Sequence, residues 1–239
     1  MRNIRLLVEF DGAGFSGWQY QPGRRTVQGE LQRAVASVTG GPATVYGCSR
    51  TDAGVSARNY VANFHAGTPL PPDRLRLALN YHLPREILVK DAGDAPPGFH
   101  ARFSARSKTY VYRLLRGRSP LRQHRAWELR GPVDPSRMTR ALDRFVGTRD
   151  FQPFCLTRDR SGTCTIFAAG LETAGDELLV AVRGDRFLYK MVRRIVGAAV
   201  ACGAGRLTLA DIRAALRGRT HRPFQTAPAR GLTLDSVDY

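Results

Sequence analysis

At 239 residues, 43% apolar and 24% charged, the chain can bury one large core or two joined ones, which excludes wholesale disorder. It holds no run of about eighteen apolar residues, which argues against a transmembrane helix. Met1-Arg2-Asn3-Ile4-Arg5 lacks the apolar stretch and small-residue cleavage site of a signal peptide, so no membrane and a cytoplasmic location are expected. Lys and Arg number 37 against 20 acids, a net charge of +17; in a compact protein this surplus points to a polyanionic partner.

Ile4, Leu6, Val8 and Phe10 alternate with Arg5 and Glu9, the period of a strand. A glycine-rich turn, Asp11–Gly17, comes next. Thr26 reads as the N-cap of a helix carrying Val27, Leu31, Val35 and Val38 and stopped by Gly40-Gly41. Residues 43–48 and 58–66 read as strands, the second with Tyr60, Ala62 and Phe64 on one face. Pro71-Pro72-Asp73 opens a short helix through Leu75 and Leu79, and 86–91 gives another strand. The Pro/Gly stretch Asp94–Gly98 marks a boundary. Beyond it, 109–115 alternates as a strand, and Asp134-Pro135 caps a helix through Met138, Leu142 and Phe145. Residues 164–173 and 177–183 form a hairpin around Ala174-Gly175-Asp176. A long helical stripe fills 187–202, Thr208 with Asp211 opens a small helix, and 231–239 closes the chain as a strand. Two successive β-α-β-β-α-β orders predict an α/β (α+β) protein of two ferredoxin-like halves, residues 1–98 and 99–239, each an antiparallel sheet backed by helices.

The charge is uneven. Residues 1–100 hold 11 basic and 8 acidic residues, residues 101–239 hold 26 and 12, and Arg102 to Arg130 contains one acid, Glu128. The second half should therefore carry most of the contact with nucleic acid. Only Lys90, Lys108 and Lys190 are lysines; arginine grips phosphate at two points and stacks on bases, although a GC-rich coding sequence enriches arginine too. Cys48, Cys155, Cys164 and Cys202 lack C-x-x-C spacing, and His65, His82, His100, His124 and His221 form no H-x-x-x-H pair, so free thiols and no metal are expected. Lys108, Tyr110, Tyr112 and Arg113 share an aromatic-basic strand that could stack bases or simply pack a core. Lys190, Arg193 and Arg194 lie in an otherwise apolar stripe, either a solvated polar face or, for Lys190 and Arg193, candidates for phosphate or site contacts. Arg206, Arg213, Arg217, Arg219 and Arg222 read as a solvated, RNA-facing flank.

Between two strands lies Gly47-Cys48-Ser49-Arg50-Thr51-Asp52-Ala53-Gly54-Val55. Loops at strand ends commonly carry function. In an extended segment Arg50 and Asp52 project to one side, and the arginine favours the ionised carboxylate. Without a metal, such a carboxylate can act as base, nucleophile or stabiliser of a developing cation. Spacing alone favours a turn capped by Asp52, with Arg50 in a surface ion pair.

The run Arg50-Thr51-Asp52-Ala53-Gly54-Val55 resembles the signature of the TruA family of tRNA pseudouridine synthases. Further similarities follow in the family's order. They are Trp18-Gln19 with Thr26-Val27-Gln28-Gly29; Phe99-His100-Ala101-Arg102 through Ala105; Lys108-Thr109-Tyr110-Val111-Tyr112; Gly147 to Phe154; Phe187 to Arg193; and Ala227-Pro228-Ala229-Arg230-Gly231-Leu232. The resemblance implies that Asp52 is the catalytic aspartate. It implies that Tyr110 packs against the target base, and that Arg50 pairs with the aspartate and holds the flipped-out position open. It also implies an isomerase that needs no cofactor, converts uridine to pseudouridine at positions 38 to 40 of the tRNA anticodon arm, works as a homodimer and binds RNA in a cleft between antiparallel sheets. Ser49 and Ser56 stand where the family commonly has Gly and His, and Arg149 where it has His, which bears on the RNA target rather than the nucleophile. The competing readings are a non-catalytic tandem RNA-binding protein or chaperone, and a nucleoside hydrolase that would leave the charge unexplained.

Overall fold

In the computed structural model, which describes residues 1–159, 161–219 and 223–239, the alternating residues of the first strand all turn inward: Ile4, Leu6, Val8 and Phe10 are buried. The chain forms two compact units, residues 1–106 with 233–239, and residues 107–232. In the first, β1 (Arg2–Phe10), α1 (Val27–Thr39), β2 (Tyr46–Gly47), β3 (Ser56–Ala66), α2 (Pro72–His82) and β4 (Ile87–Asp94) follow the β-α-β-β-α-β order. The strands lie antiparallel as β4-β1-β3, with β2 also on β3. The final strand, β5 (Leu232–Asp238), runs parallel to β3 through Thr233 opposite Ser56 and Leu234 opposite Ala57.

The helices begin where the sequence puts their caps. Thr26 Oγ1 accepts from Gly29 N at 3.2 Å, and α1 buries Val27, Leu31, Ala34 and Val35, each full burial of a Val or Leu side chain being worth roughly 1.5–3 kcal/mol. α2 starts with proline in its first turn and buries Leu75 and Leu79.

The sequence places a boundary before residue 99, whereas the compact units part after Arg106. Two buried amides hold the intervening segment. Asn63, inside β3 and fully buried, accepts from Ala101 N and donates to Asn3 Oδ1, both at 2.9 Å. The Asn3 amide nitrogen donates to the carbonyls of Pro96 and Phe99. Tyr239 Oη donates to Ala101 O at 2.7 Å. Replacing Asn63 by leucine orphans the Ala101 N–H and the Asn3 carbonyl in a dry site. The expected cost is about 3 kcal/mol, a fall in Tm of roughly 10 °C. A thermal melt within about 2 °C of the parent would show that the network does not hold the segment.

In the second unit, β6 (Ser107–Arg116), β7 (Trp127–Leu129), α3 (Pro135–Leu142), β8 (Gly147–Asp150), β9 (Thr163–Ala174), β10 (Glu177–Gly184), α4 (Met191–Gly203) and α5 (Leu209–Leu216) follow. The antiparallel order is β6-β10-β9-β8, and β7 lies parallel to β6. Strands β7 and β8, three and four residues long, are too short to show a period of two. Asp134 caps α3, and Thr208 with Asp211 forms the expected capping box of α5. From Ile195 to Gly203, α4 is buried on every side, as an apolar helix inside a core must be. It begins at Met191 rather than Phe187, because Lys190 adopts a left-handed conformation, φ 60°, that no α-helix continues through. Among the described residues no helix is long and apolar enough to cross a membrane.

Candidate active site

The Asp52 loop, residues 48–55, leaves β2 and enters β3 in the first unit. Its start is anchored by Cys48 N to Val61 O at 2.9 Å. Tyr60, fully buried, donates its hydroxyl to Ser49 O and accepts from Ser49 N. The Tyr60 ring stacks on Trp18 with centroids 4.2 Å apart, and Phe10 packs against both. Trp18 N in turn donates to Thr51 O at 3.1 Å. Gly47 sits against this pair so closely that a Cβ there would lie 2.2 Å from Tyr60 Oη and 2.4 Å from the Trp18 ring. Gly17, at φ +91°, passes directly over the loop, where a Cβ would meet Thr51 O at 2.7 Å and Asp52 C at 3.1 Å. The loop closes in a turn, Val55 N to Asp52 O at 3.1 Å. Ser56, where the resemblance leads one to expect histidine, accepts from Gly12 N at 3.0 Å through its hydroxyl.

Asp52 and Arg50 therefore sit in one rigid loop but in different surroundings, for Asp52 is half-buried and Arg50 exposed. Residues 50–52 lie outside any helix or strand, and a turn follows at residues 53–54. Thr51 between them is buried, and its hydroxyl has no hydrogen-bond partner among the described residues. A half-buried carboxylate on an over-determined loop is suited to meet a substrate with little reorganisation.

In the second unit, Lys108, Tyr110 and Tyr112 are buried on one face of β6. Tyr110 meets Phe187 edge to face, centroids 5.2 Å apart. Tyr112 Oη donates to Pro228 O at 2.7 Å, and burial pushes its phenol well above the ordinary range. Half-buried Lys190, strained into the left-handed region, precedes α4 with its ammonium 4.9 Å from the Tyr189 ring centroid; strain held by its surroundings clusters at functional positions. Arg193 is half-buried, and its Nε donates to Ala227 O at 2.7 Å.

The arginines of the dense basic run divide. Arg113 pairs with Glu177 at 2.9 Å, Arg122 grips Asp176 with both terminal nitrogens, and Arg116 donates to Gly175 O, all on the β9–β10 turn. Arg102, Arg118 and Arg130 are exposed. Of the expected flank, Arg206, Arg213, Arg217 and Arg219 are exposed, while Arg222, like His221, lies outside the described residues. The four cysteines are free and buried. Burial pushes the Cys164 and Cys202 thiols up to about 11, so both stay protonated at neutral pH and are poor nucleophiles.

A family model described as tRNA pseudouridine synthase matches residues 6–104 and 141–239. The tRNA pseudouridine synthase A of Geobacter sp. is 40% identical over 245 residues, spanning 100% of this chain and 99% of the relative. That of Solibacter usitatus is 40% identical over 246 residues and the full length of both. The chain belongs to the tRNA pseudouridine synthase family.

The segments that resemble the synthase family have physical work in the fold. Trp18 and Gly17 press on the Asp52 loop. Gln28, buried at the start of α1, donates to Val45 O and accepts from Gln19 Nε2 and Tyr20 N, tying the segment before β2 to the Trp18 loop. In the second unit Phe151 and Phe154 fill the core, Phe154 stacked on Phe224 at 4.5 Å. Residues 227–230 join Arg193, Tyr112 and Ala126 O through backbone and Arg230 Nε contacts. Sequence reasoning missed Tyr60 and Asn63. Asn63 carried a signal, a polar residue amid the apolar run Val61 to Phe64. Tyr60 carried none, since a strand tyrosine reads as core.

Proposed function

We propose that the protein isomerises uridine to pseudouridine in the anticodon arm of tRNA, at positions 38 to 40, with the carboxylate of Asp52 as the catalytic group. The observation that carries this reading is the half-buried Asp52 on a loop held by Trp18, Gly17 and Tyr60, within the segment 6–104 that the synthase family model matches. The N1–C1′ bond of the uridine breaks, uracil turns and rejoins through C5, C5 gives up its proton and N1 gains one; atoms balance without redox chemistry. Cleavage builds positive charge at C1′, which a carboxylate stabilises or captures. A stacked uridine must first leave its helix at a cost of a few kcal/mol. In this reading an aromatic face, Tyr110, and the guanidinium of Arg50 offset that cost, while Lys190 and Arg193 contact the substrate. Residues 1–98 supply the catalytic loop and the basic remainder most of the RNA contact. The reaction needs no cofactor and the enzyme works as a homodimer, as the resemblance implies; the cysteine and histidine spacing argues against a metal, and the enzyme works in the cytoplasm.

The test is incubation with unmodified tRNA transcripts and mapping of pseudouridine at nucleotide resolution. Product confined to the anticodon arm supports the reading, product elsewhere overturns the target, and binding without product favours a non-catalytic RNA-binding protein. Binding should also weaken at least about tenfold between roughly 50 and 200 mM salt, because phosphate neutralisation releases counterions. A flat response in a filter-binding titration would contradict a phosphate-gripping surface.

A further inference from the structure

Three rings stand together at the surface of the first unit. The His100 imidazole lies 4.9 Å from the Tyr46 ring and 4.5 Å from that of Phe103, tilted 46° and 40° to them. Phe103 is 76% exposed and Tyr46 39%. The Arg102 guanidinium carbon is 5.6 Å from the Phe103 centroid.

The turn that presents them is held from within. His100 Nδ1 accepts from Arg102 N at 3.1 Å and Phe103 N at 3.4 Å. Ser104 N returns to His100 O, and Ser104 Oγ accepts from His100 N. Ala101 between them is buried and locked by Asn63 and Tyr239. Burial, with the nearby Arg102 charge, holds the His100 pKa below the ordinary histidine value, so the middle ring stays neutral and can stack. A well-ordered turn thus spends its rigidity on displaying an apolar ring to water, which contributes nothing to the core.

We propose that Phe103, His100 and Tyr46 form a stacking platform for an unpaired base of the bound tRNA, with Arg102 beside it for the neighbouring phosphate. The proposal rests on tRNA being the substrate. Two observations select RNA as the occupant. Aromatic faces interleaved with arginine on a chain of net charge +17 match a polyanion whose bases have π-faces. The platform also shares a ladder with the Asp52 loop. Tyr46 pairs with Asn63 across β2 and β3, and Cys48 beyond it bonds Val61. Tyr46 precedes Asp52 by six residues, so their Cα atoms are at most about 20 Å apart, a distance that a few nucleotides span. A base held on the platform would therefore fix the register of the strand whose uridine reaches Asp52.

The test compares Phe103→Ala, Phe103→Leu and Phe103→Trp in tRNA affinity and in kcat and KM for pseudouridine formation. Alanine should weaken affinity roughly five- to tenfold, raise KM similarly and leave kcat at saturating tRNA within about twofold; leucine should behave like alanine and tryptophan like the parent. Tyr46→Ala, which removes the platform's other edge, should weaken binding in the same way. Transcripts carrying single abasic nucleotides should reveal one position at which the Phe103→Ala defect disappears, naming the stacked base. Affinity unchanged in the alanine variant overturns the proposal, as does rescue by leucine equal to that by tryptophan. A change in sedimentation without loss of tRNA affinity overturns it too, by making the patch a contact between copies of the chain. Each outcome is read against a parent that forms pseudouridine; a parent that does not would instead sink the functional reading itself.

Discussion

Asp52→Asn abolishes pseudouridine formation, by at least about 10³-fold in single-turnover rate, and leaves tRNA affinity within about threefold. An amide has nearly the carboxylate's shape but can neither attack a carbon nor balance positive charge at C1′. The loop should accept it, because the bonds through Cys48, Ser49, Thr51 and the Asp52 carbonyl stay in place. Asp52→Glu is the sharper variant. It keeps the charge and lengthens the side chain by one methylene, and a reacting group misplaced by about 1 Å can cost 10²-fold. The expected order of rates is therefore Asp, then Glu, then Asn with Ala. Asn retaining more than about a tenth of the parent rate would mean that Asp52 only shapes the loop, and the carboxylate chemistry would have to move elsewhere.

The loop could be found from sequence, but its supports could not. The signature around Asp52, the caps at Thr26, Asp134 and Thr208, and the hairpin at Gly175 are local, so each shows in a few consecutive residues. What fixes the loop is not local. Tyr60 reaches back to Ser49, Gln28 to Val45, and Asn63 to residues 3 and 101; such pairings follow from strand register, which short windows do not encode. The same reason explains the missed details. β2 shrinks to Tyr46–Gly47, and the Val45 carbonyl just before it accepts from the Gln28 amide. α4 starts four residues late because Lys190 turns left-handed. The boundary moves beyond residue 98 because two buried asparagines hold residues 99–101 to the first sheet.

Gly17→Ala should separate activity from stability. At φ +91° an alanine is strained, and its methyl would press on Thr51 O and the Asp52 carbonyl carbon. Those atoms are backbone, so the loop must shift rather than a side chain swing away. Strain and overpacking together cost about 2–4 kcal/mol, a tolerable loss for a chain of this size, while displacement of Asp52 should cut kcat by roughly 10²-fold. Gly23 supplies the control. It also has positive φ, +70°, but nothing lies within 4 Å of its would-be Cβ. Gly23→Ala should therefore cost the backbone strain alone, about 1–2 kcal/mol of stability, and leave kcat at the parent value. If the two variants lose activity in proportion to their loss of Tm, the pressure of Gly17 on the loop has no special role. If Gly17→Ala melts within a few degrees of Gly23→Ala yet turns over far more slowly, the position of the Asp52 backbone is set by the absence of one methyl group thirty-five residues upstream.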